Sequence, residues 1–132
     1  MINFILVSHG MFAAGLLDAV NLIIGKQDGI LTYALTENDS IDELAVRIGT
    51  GLAQLHHNGT GVLILVDLFG ASPFNVTSTM IEKYDAIDVV TGLNLPMLLE
   101  VILQRNNLSL SEIAMLAKEA GKEGIKVLSG LL

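Results

Sequence analysis

A doubly wound α/β fold, with a mainly parallel central sheet and helices on both faces, is the architecture this sequence predicts. Three observations predict it. Short runs of Ile, Val and Leu recur without clean apolar–polar alternation, as in strands buried on both faces. Longer segments with helical spacing lie between them, so strand and helix alternate along the chain. The polar, glycine-containing clusters fall where strand segments end and helices begin, the edge on which such a sheet gathers its loops.

The strand segments are Ile2 to Val7, Ile30 to Leu35, Val62 to Val66 and Ile87 to Val90, and the helical segments are Met11 to Ile24, Ile41 to His57, Pro73 to Tyr84 and Pro96 to Gln104. Ser40 with Glu43, and Ser109 with Glu112 ahead of a fifth helix, have capping-box spacing, while Pro73 and Pro96 suit first helical turns. Gly25, Gly59 and Gly121 mark expected helix ends. Ile125 to Leu128, after Gly124, is a candidate fifth strand. At 132 residues, with no linker, repeat or low-complexity stretch, residues 1–132 are expected to form one domain with one site.

Composition narrows the function classes. The chain is 52% apolar, yet Gly61 to Val66 runs into Asp67, and Asp18 and Asn21 interrupt Met11 to Ile24. Neither stretch reaches the ~20 apolar residues of a membrane-spanning helix. The apolar excess is therefore assigned to a buried sheet or a subunit interface. Seven Lys and Arg against fourteen Asp and Glu give a net charge of -7, and no basic run follows a phosphate backbone, so nucleic acid is not an expected partner. There is no Cys, and Met1-Ile2-Asn3-Phe4 lacks the basic start of a signal peptide; a reducing cytoplasm is the expected location.

The candidate site lies at the strand ends. Strand one ends in Val7-Ser8-His9-Gly10, strand three in Val66-Asp67-Leu68-Phe69-Gly70-Ala71-Ser72-Pro73, and strand four in Thr91-Gly92-Leu93-Asn94-Leu95-Pro96. If strands one and three are neighbours, His9 and Asp67 meet over the sheet edge. A carboxylate there would hold one imidazole nitrogen as N–H, leave the other nitrogen's lone pair outward as a nucleophile, and stabilise the positive ring formed on phosphorylation. The loop Leu68, Phe69, Gly70, Ala71 and Ser72 would turn backbone N–H groups and the Ser72 hydroxyl toward an anion, and the helix after Gly10 offers a second positive dipole end. Phosphoryl transfer asks mainly for such positioning and charge stabilisation. Which ring nitrogen carries the group depends on ring orientation, which spacing leaves open.

Together with Asn75 and the continuation Met97-Leu98, these three strings resemble the IIA domain of the mannose family of the sugar phosphotransferase system, over essentially the whole chain. The resemblance implies that His9 receives a phosphoryl group from the phosphocarrier protein HPr and passes it to a histidine of a IIB component, which serves a membrane IIC/IID sugar permease. It implies that Asp67 orients the His9 ring, that Ser72 helps bind the phosphoryl group, and that no cofactor is needed. It further implies a homodimer in which a last, antiparallel strand is exchanged, Ile125 to Leu128 being the matching segment. Ala71 departs from the second glycine of many relatives, although Gly70 keeps the loop's freedom. No IIB segment follows within these residues, so transfer is expected to run between chains.

Plainer roles stand beside these. Ser72, directly before Pro73, is in the N-cap position, and capping can coexist with phosphoryl binding. Asp67 lies too far before Pro73 to cap that helix. His56 and His57 are expected to be surface residues at a helix C-terminus, with no metal site; Asp39, Asp42 and Glu43 are expected to complement a helix dipole; and Asn94 is read as the start of a helix. Gly10, Gly70 and Gly92 can also be turn residues and nothing more. A phosphatase using a transient phosphohistidine would need arginines to clamp its substrate, but Arg47 falls in a predicted helix and Arg105 at the end of one. A flavin- or nucleotide-binding module is opposed by the missing G-x-G-x-x-G after the first strand and the absence of Trp. The related phosphocarrier that serves dihydroxyacetone kinase would share this site, but Phe69 to Pro73 fits the sugar-transport family better.

Overall fold

The computed structural model describes residues 1–56 and 60–132. Strands β1 (Ile2–His9), β2 (Ile30–Leu35), β3 (Gly61–Val66) and β4 (Ile87–Thr91) form a parallel sheet in the order β2-β1-β3-β4. They alternate with helices α1 (Phe12–Ile24), α2 (Ile41–His56), α3 (Ser72–Ser78), α4 (Met80–Lys83), α5 (Leu95–Gln104) and α6 (Leu110–Glu123). The expectations for the His56–His57 pair and for a helix end at Gly59 lie outside the described residues.

Successive side chains of a strand point to opposite faces, and the two cores follow that rule. Phe4, Leu6, Leu63 and Leu65 pack with residues of α1, α5 and α6, such as Val20, Leu98 and Ile113. Ile5, Val7, Ile64 and Val66 pack with residues of α2, α3 and α4, such as Leu44, Val76 and Met80. Both faces of β1 and β3 are thus covered, which is why these strands read as unbroken apolar runs. The order also fixes the switch point: β1 leads into α1 on one face, its neighbour β3 into α3 on the other, and the crevice between their carboxyl ends is where such folds place ligands.

Several local expectations match. Ser109 and Glu112 form a reciprocal capping box, Asn94 caps α5 by accepting from the Met97 N–H, and both prolines sit in first helical turns. Ser40 accepts from the Glu43 N–H at 3.0 Å. Asp39 instead turns to the Thr36 backbone N–H and hydroxyl, which lower its pKa.

Four expectations are corrected. The helix expected over Pro73 to Tyr84 is two, α3 and α4, because the hydroxyls of Thr77, Ser78 and Thr79 donate back to the carbonyls of Phe74, Asn75 and Val76 and compete with the helical ladder. Gly121 does not end a helix; it is buried inside α6, which runs on to Glu123 with Gly124 at its C-cap, where a Cβ would collide with the Pro96 ring in the first turn of α5. Ile125 to Leu128 is not a strand in the single chain, because no strand among the described residues pairs with it; the segment runs irregularly into a short 3₁₀ turn, Leu128–Leu131. The helix expected from Met11 starts at Phe12, with Met11 at the N-cap. No helix among the described residues is long and apolar enough to cross a membrane.

Candidate functional site

The β1–β3 ladder pairs Val7 with Val66, so the residues just beyond, His9 and Asp67, come together although they are 58 positions apart. A single carboxylate oxygen does two jobs. Asp67 Oδ2 lies 2.8 Å from His9 Nδ1 and accepts the His9 backbone N–H at 3.0 Å. The carboxylate thus meets the main chain and the ring of the same residue, and an ionised carboxylate, which only accepts, pairs with the tautomer that carries its proton on Nδ1. Nε2, at the far side of the ring, is left to the outside. The His9 side chain is 50% exposed and that of Asp67 15%, so the ring is open to a visitor while its partner is sheltered. Oδ1 of Asp67 is buried and without a hydrogen-bond partner among the described residues.

The turn around His9 is anchored on both sides. Gly10 donates its N–H to the Leu35 carbonyl at 2.9 Å and takes φ +54°, a left-handed conformation that glycine adopts without penalty. The Ser8 hydroxyl, fully buried, accepts the Ala13 N–H of α1 at 2.8 Å. Sequence reasoning passed over Ser8; its one signal is a hydroxyl at the end of a strand otherwise made almost wholly of apolar residues.

Leu68, Phe69, Gly70 and Ala71 follow Asp67 and lead into α3, with Gly70 at φ +79°. Ser72 is corrected from the N-cap to the first residue of the helix: Ala71 is the extended residue that occupies the N-cap, and no side chain caps this end. A capping hydroxyl must sit on the extended residue to fold back over the free amides, whereas Ser72 already has helical backbone. Asn75 Nδ2 reaches the Gly70 carbonyl at 3.5 Å. Gly92 also takes positive φ, but Asn94 is committed to the junction of α5 and α6, accepting from Met97 and donating to the Gly121 carbonyl.

An apolar collar surrounds this edge. Met11 and Phe12 follow the His9 turn and Leu68 and Phe69 follow Asp67, all strongly exposed, Phe69 by 73%. Phe69 is steadied against Phe74, with ring centroids 4.7 Å apart. Large exposed apolar side chains grouped on one edge mark a protein-binding surface. Arg47 lies on α2, where it donates to the Ala34 carbonyl, and Arg105 is buried at the opposite edge of the sheet, donating to the carbonyls of Ile2 and Asp28. Neither is part of the constellation, and among the described residues no group of three or more His, Asp or Glu is arranged to hold a metal ion.

The family model EIIA-man, described as the PTS system fructose IIA component, matches residues 3–118. The chain is similar to the PTS system mannose-specific EIIAB component of Escherichia coli K12, 33% identical over 96% of the chain and 39% of that protein's length. It thus spans well under half of that longer relative. A sorbose-specific EIIA component of Lacticaseibacillus casei is 34% identical over 83% of the chain and 78% of its own length. Among solved structures, the phosphotransferase system component EIIA from Streptococcus agalactiae superposes with a TM-score of 0.90 at 31% identity, covering 98% of this chain and 99% of that one. This protein is therefore a member of the EIIA-man family, a IIA component of the mannose type within the phosphotransferase system.

Proposed function

We propose that this chain is a phosphocarrier in which His9 accepts a phosphoryl group from phospho-HPr and donates it to a histidine of a IIB component, which serves a IIC/IID sugar permease. The observation that carries the proposal is the double grip of Asp67 Oδ2 on His9, which leaves Nε2 as the outward nucleophile on a half-exposed ring. The Nε2 lone pair attacks the phosphorus of the donor phosphohistidine. A new N–P bond forms, the donor's N–P bond breaks, and its electron pair returns to the donor ring. His9 keeps its Nδ1 proton, so the phosphorylated ring is positively charged opposite the Asp67 carboxylate. Delivery to IIB runs the same step in reverse, the N–P pair returning to Nε2. The loop from Leu68 to Ala71 and the Ser72 hydroxyl supply donors to the phosphoryl oxygens, Gly10 having spent its one N–H on the Leu35 carbonyl, and the exposed collar of Met11, Phe12, Leu68 and Phe69 receives each protein partner in turn. This division of labour needs no cofactor and suits a cytoplasmic protein.

We assign the C-terminal segment to a homodimer contact. Ile125, Val127, Leu128, Leu131 and Leu132 are exposed, and β4 is an edge strand. An unpaired edge and an uncovered apolar segment complement each other between two copies. A chain truncated after Gly124 should then sediment as a monomer, and a stable dimer of that truncation refutes the assignment.

Intact-mass measurement after incubation with phosphoenolpyruvate, enzyme I and HPr tests the central proposal. One acid-labile phosphoryl group is expected on the wild type and none on His9→Ala. An unmodified wild type, or a His9→Ala protein that still gains the group, overturns it.

A further inference from the structure

We propose that Ser8 is a positioning residue for His9, clasping the end of β1 to the first turn of α1 so that the imidazole stays seated on Asp67. The inference rests on the phosphocarrier reading for its functional meaning, but its geometry stands apart from it. A buried hydroxyl is costly unless it is hydrogen-bonded, and Ser8, with none of its surface exposed, meets that demand through the Ala13 N–H at 2.8 Å. Ala13 is itself 1% exposed, so water cannot replace Ser8 as its partner. Its amide is among the first of α1, which have no partner inside the helix. Met11, at the N-cap, makes no side-chain cap. The capping work has passed to a residue on the far side of His9.

The consequence for His9 is mechanical. Its turn is tied to β3 through Asp67 Oδ2, to β2 through the Gly10 N–H on the Leu35 carbonyl, and to α1 through Ser8. The first two ties fix the main chain at residues 9 and 10. The third sets how far α1 stands off and hence the path of Gly10, Met11 and Phe12, which follow His9 directly. Without it the turn relaxes, the Nδ1–Oδ2 contact lengthens, and part of the population carries its proton on Nε2, where there is then no lone pair to attack phosphorus. The larger loss falls on the transfer step, because Leu68 and Phe69 of the collar belong to a different loop and only Met11 and Phe12 shift with the turn.

Ser8→Thr keeps the hydroxyl, whereas Ser8→Val has nearly the shape of threonine without it; Ser8→Ala is the third variant, smaller than valine in case the branched side chain prevents folding. Two readouts are taken on the folded proteins: transfer from phospho-HPr, split into kcat and KM, and the ring-nitrogen NMR signals of His9, which report the tautomer. Expected for Ser8→Val and Ser8→Ala is a fall of roughly tenfold in kcat with a smaller change in KM, accompanied by loss of the single Nδ1–H form, while Ser8→Thr retains both. Variants that melt at lower temperature but keep the wild-type kcat and His9 tautomer overturn the inference. A wild type that accepts no phosphoryl group defeats the phosphocarrier reading instead, and the NMR signals then still decide whether Ser8 holds the ring.

Discussion

Replacing Asp67 by Asn separates the charge of this carboxylate from its geometry. Both of its hydrogen bonds, to the His9 ring and to the His9 backbone, go to the one oxygen Oδ2. An amide whose oxygen takes that place keeps both bonds and loses only the negative charge. Two opposite charges about 4 Å apart interact by about 4 kcal/mol at an effective dielectric near 20. The His9 side chain is 50% exposed, so solvent screening reduces this to about 1.5–3 kcal/mol, the range of hydrogen bonds to charged groups. The positive ring arises only as the N–P bond forms, so the loss falls on the transition state and the product, a slowing of about 10- to 150-fold. The same substitution exchanges one buried atom without a partner among the described residues, Oδ1, for another, the amide NH₂, so stability should change by less than about 1 kcal/mol. Rapid-quench measurement of transfer from phospho-HPr, beside urea denaturation, reads both numbers. Transfer at the wild-type rate in a folded Asp67→Asn protein would remove the carboxylate from the mechanism.

Three further outcomes are expected. Phe69→Ser, at a side chain 73% exposed, should raise KM for phospho-HPr about tenfold or more with kcat and stability nearly unchanged, and an unaltered KM would take Phe69 out of the docking surface. Arg105→Met should lower stability by about 2–4 kcal/mol in urea denaturation, because Arg105 donates to the Ile2 and Asp28 carbonyls and Asn3 Oδ1 and stacks over Phe4 at 5.0 Å; phosphoryl acceptance by the folded protein should not change, and a loss below 1 kcal/mol in denaturation would refute the clasp. The Glu112 carboxyl accepts the Ser109 N–H and titrates below its ordinary 4.5. Its stabilisation is therefore present above that value and lost as pH falls through the lower, folded pKa. The gap in melting temperature between wild type and Glu112→Ala should be widest above about pH 5 and narrow on acidification, and a pH-independent gap would contradict the assignment.

The parts of the fold legible in the sequence are those set by periodicity and by short-range chemistry. Ile2 to Val7 reads as a doubly buried strand because both its faces meet helices, and Ser109 with Glu112 reads as a cap because both partners lie within four residues. His9 and Asp67 were legible as a pair only through the rule that reactive groups collect at strand ends, together with the guess that β1 and β3 are adjacent. What was misread depends on distant neighbours. Gly121 carries the local signal of a helix end, but the helix closes at Gly124, where the Pro96 ring of another helix leaves no room for a side chain. Ile125 to Leu128 has the composition of a strand, yet a strand exists only where another edge receives it. Ser72 was placed at the N-cap because of Pro73, but Ala71 takes the extended backbone one residue earlier. Ser8 escaped notice because its bond partner, five positions on, is a backbone amide and leaves no mark in residue types.

The two members of the reactive pair are bolted to separately packed layers. The strand carrying His9 continues into a helix on one side of the sheet, and the strand carrying Asp67 into a helix on the other. Repacking either layer alone leaves their separation in the keeping of the backbone ladder between β1 and β3. A slip of that ladder by one residue would carry the carboxylate about 3.3 Å along the strand and turn it to the opposite side. Volume-conserving exchanges among the interior side chains of either flank therefore leave the reactive pair in place, whereas a change in the alignment of the two adjacent strands separates it.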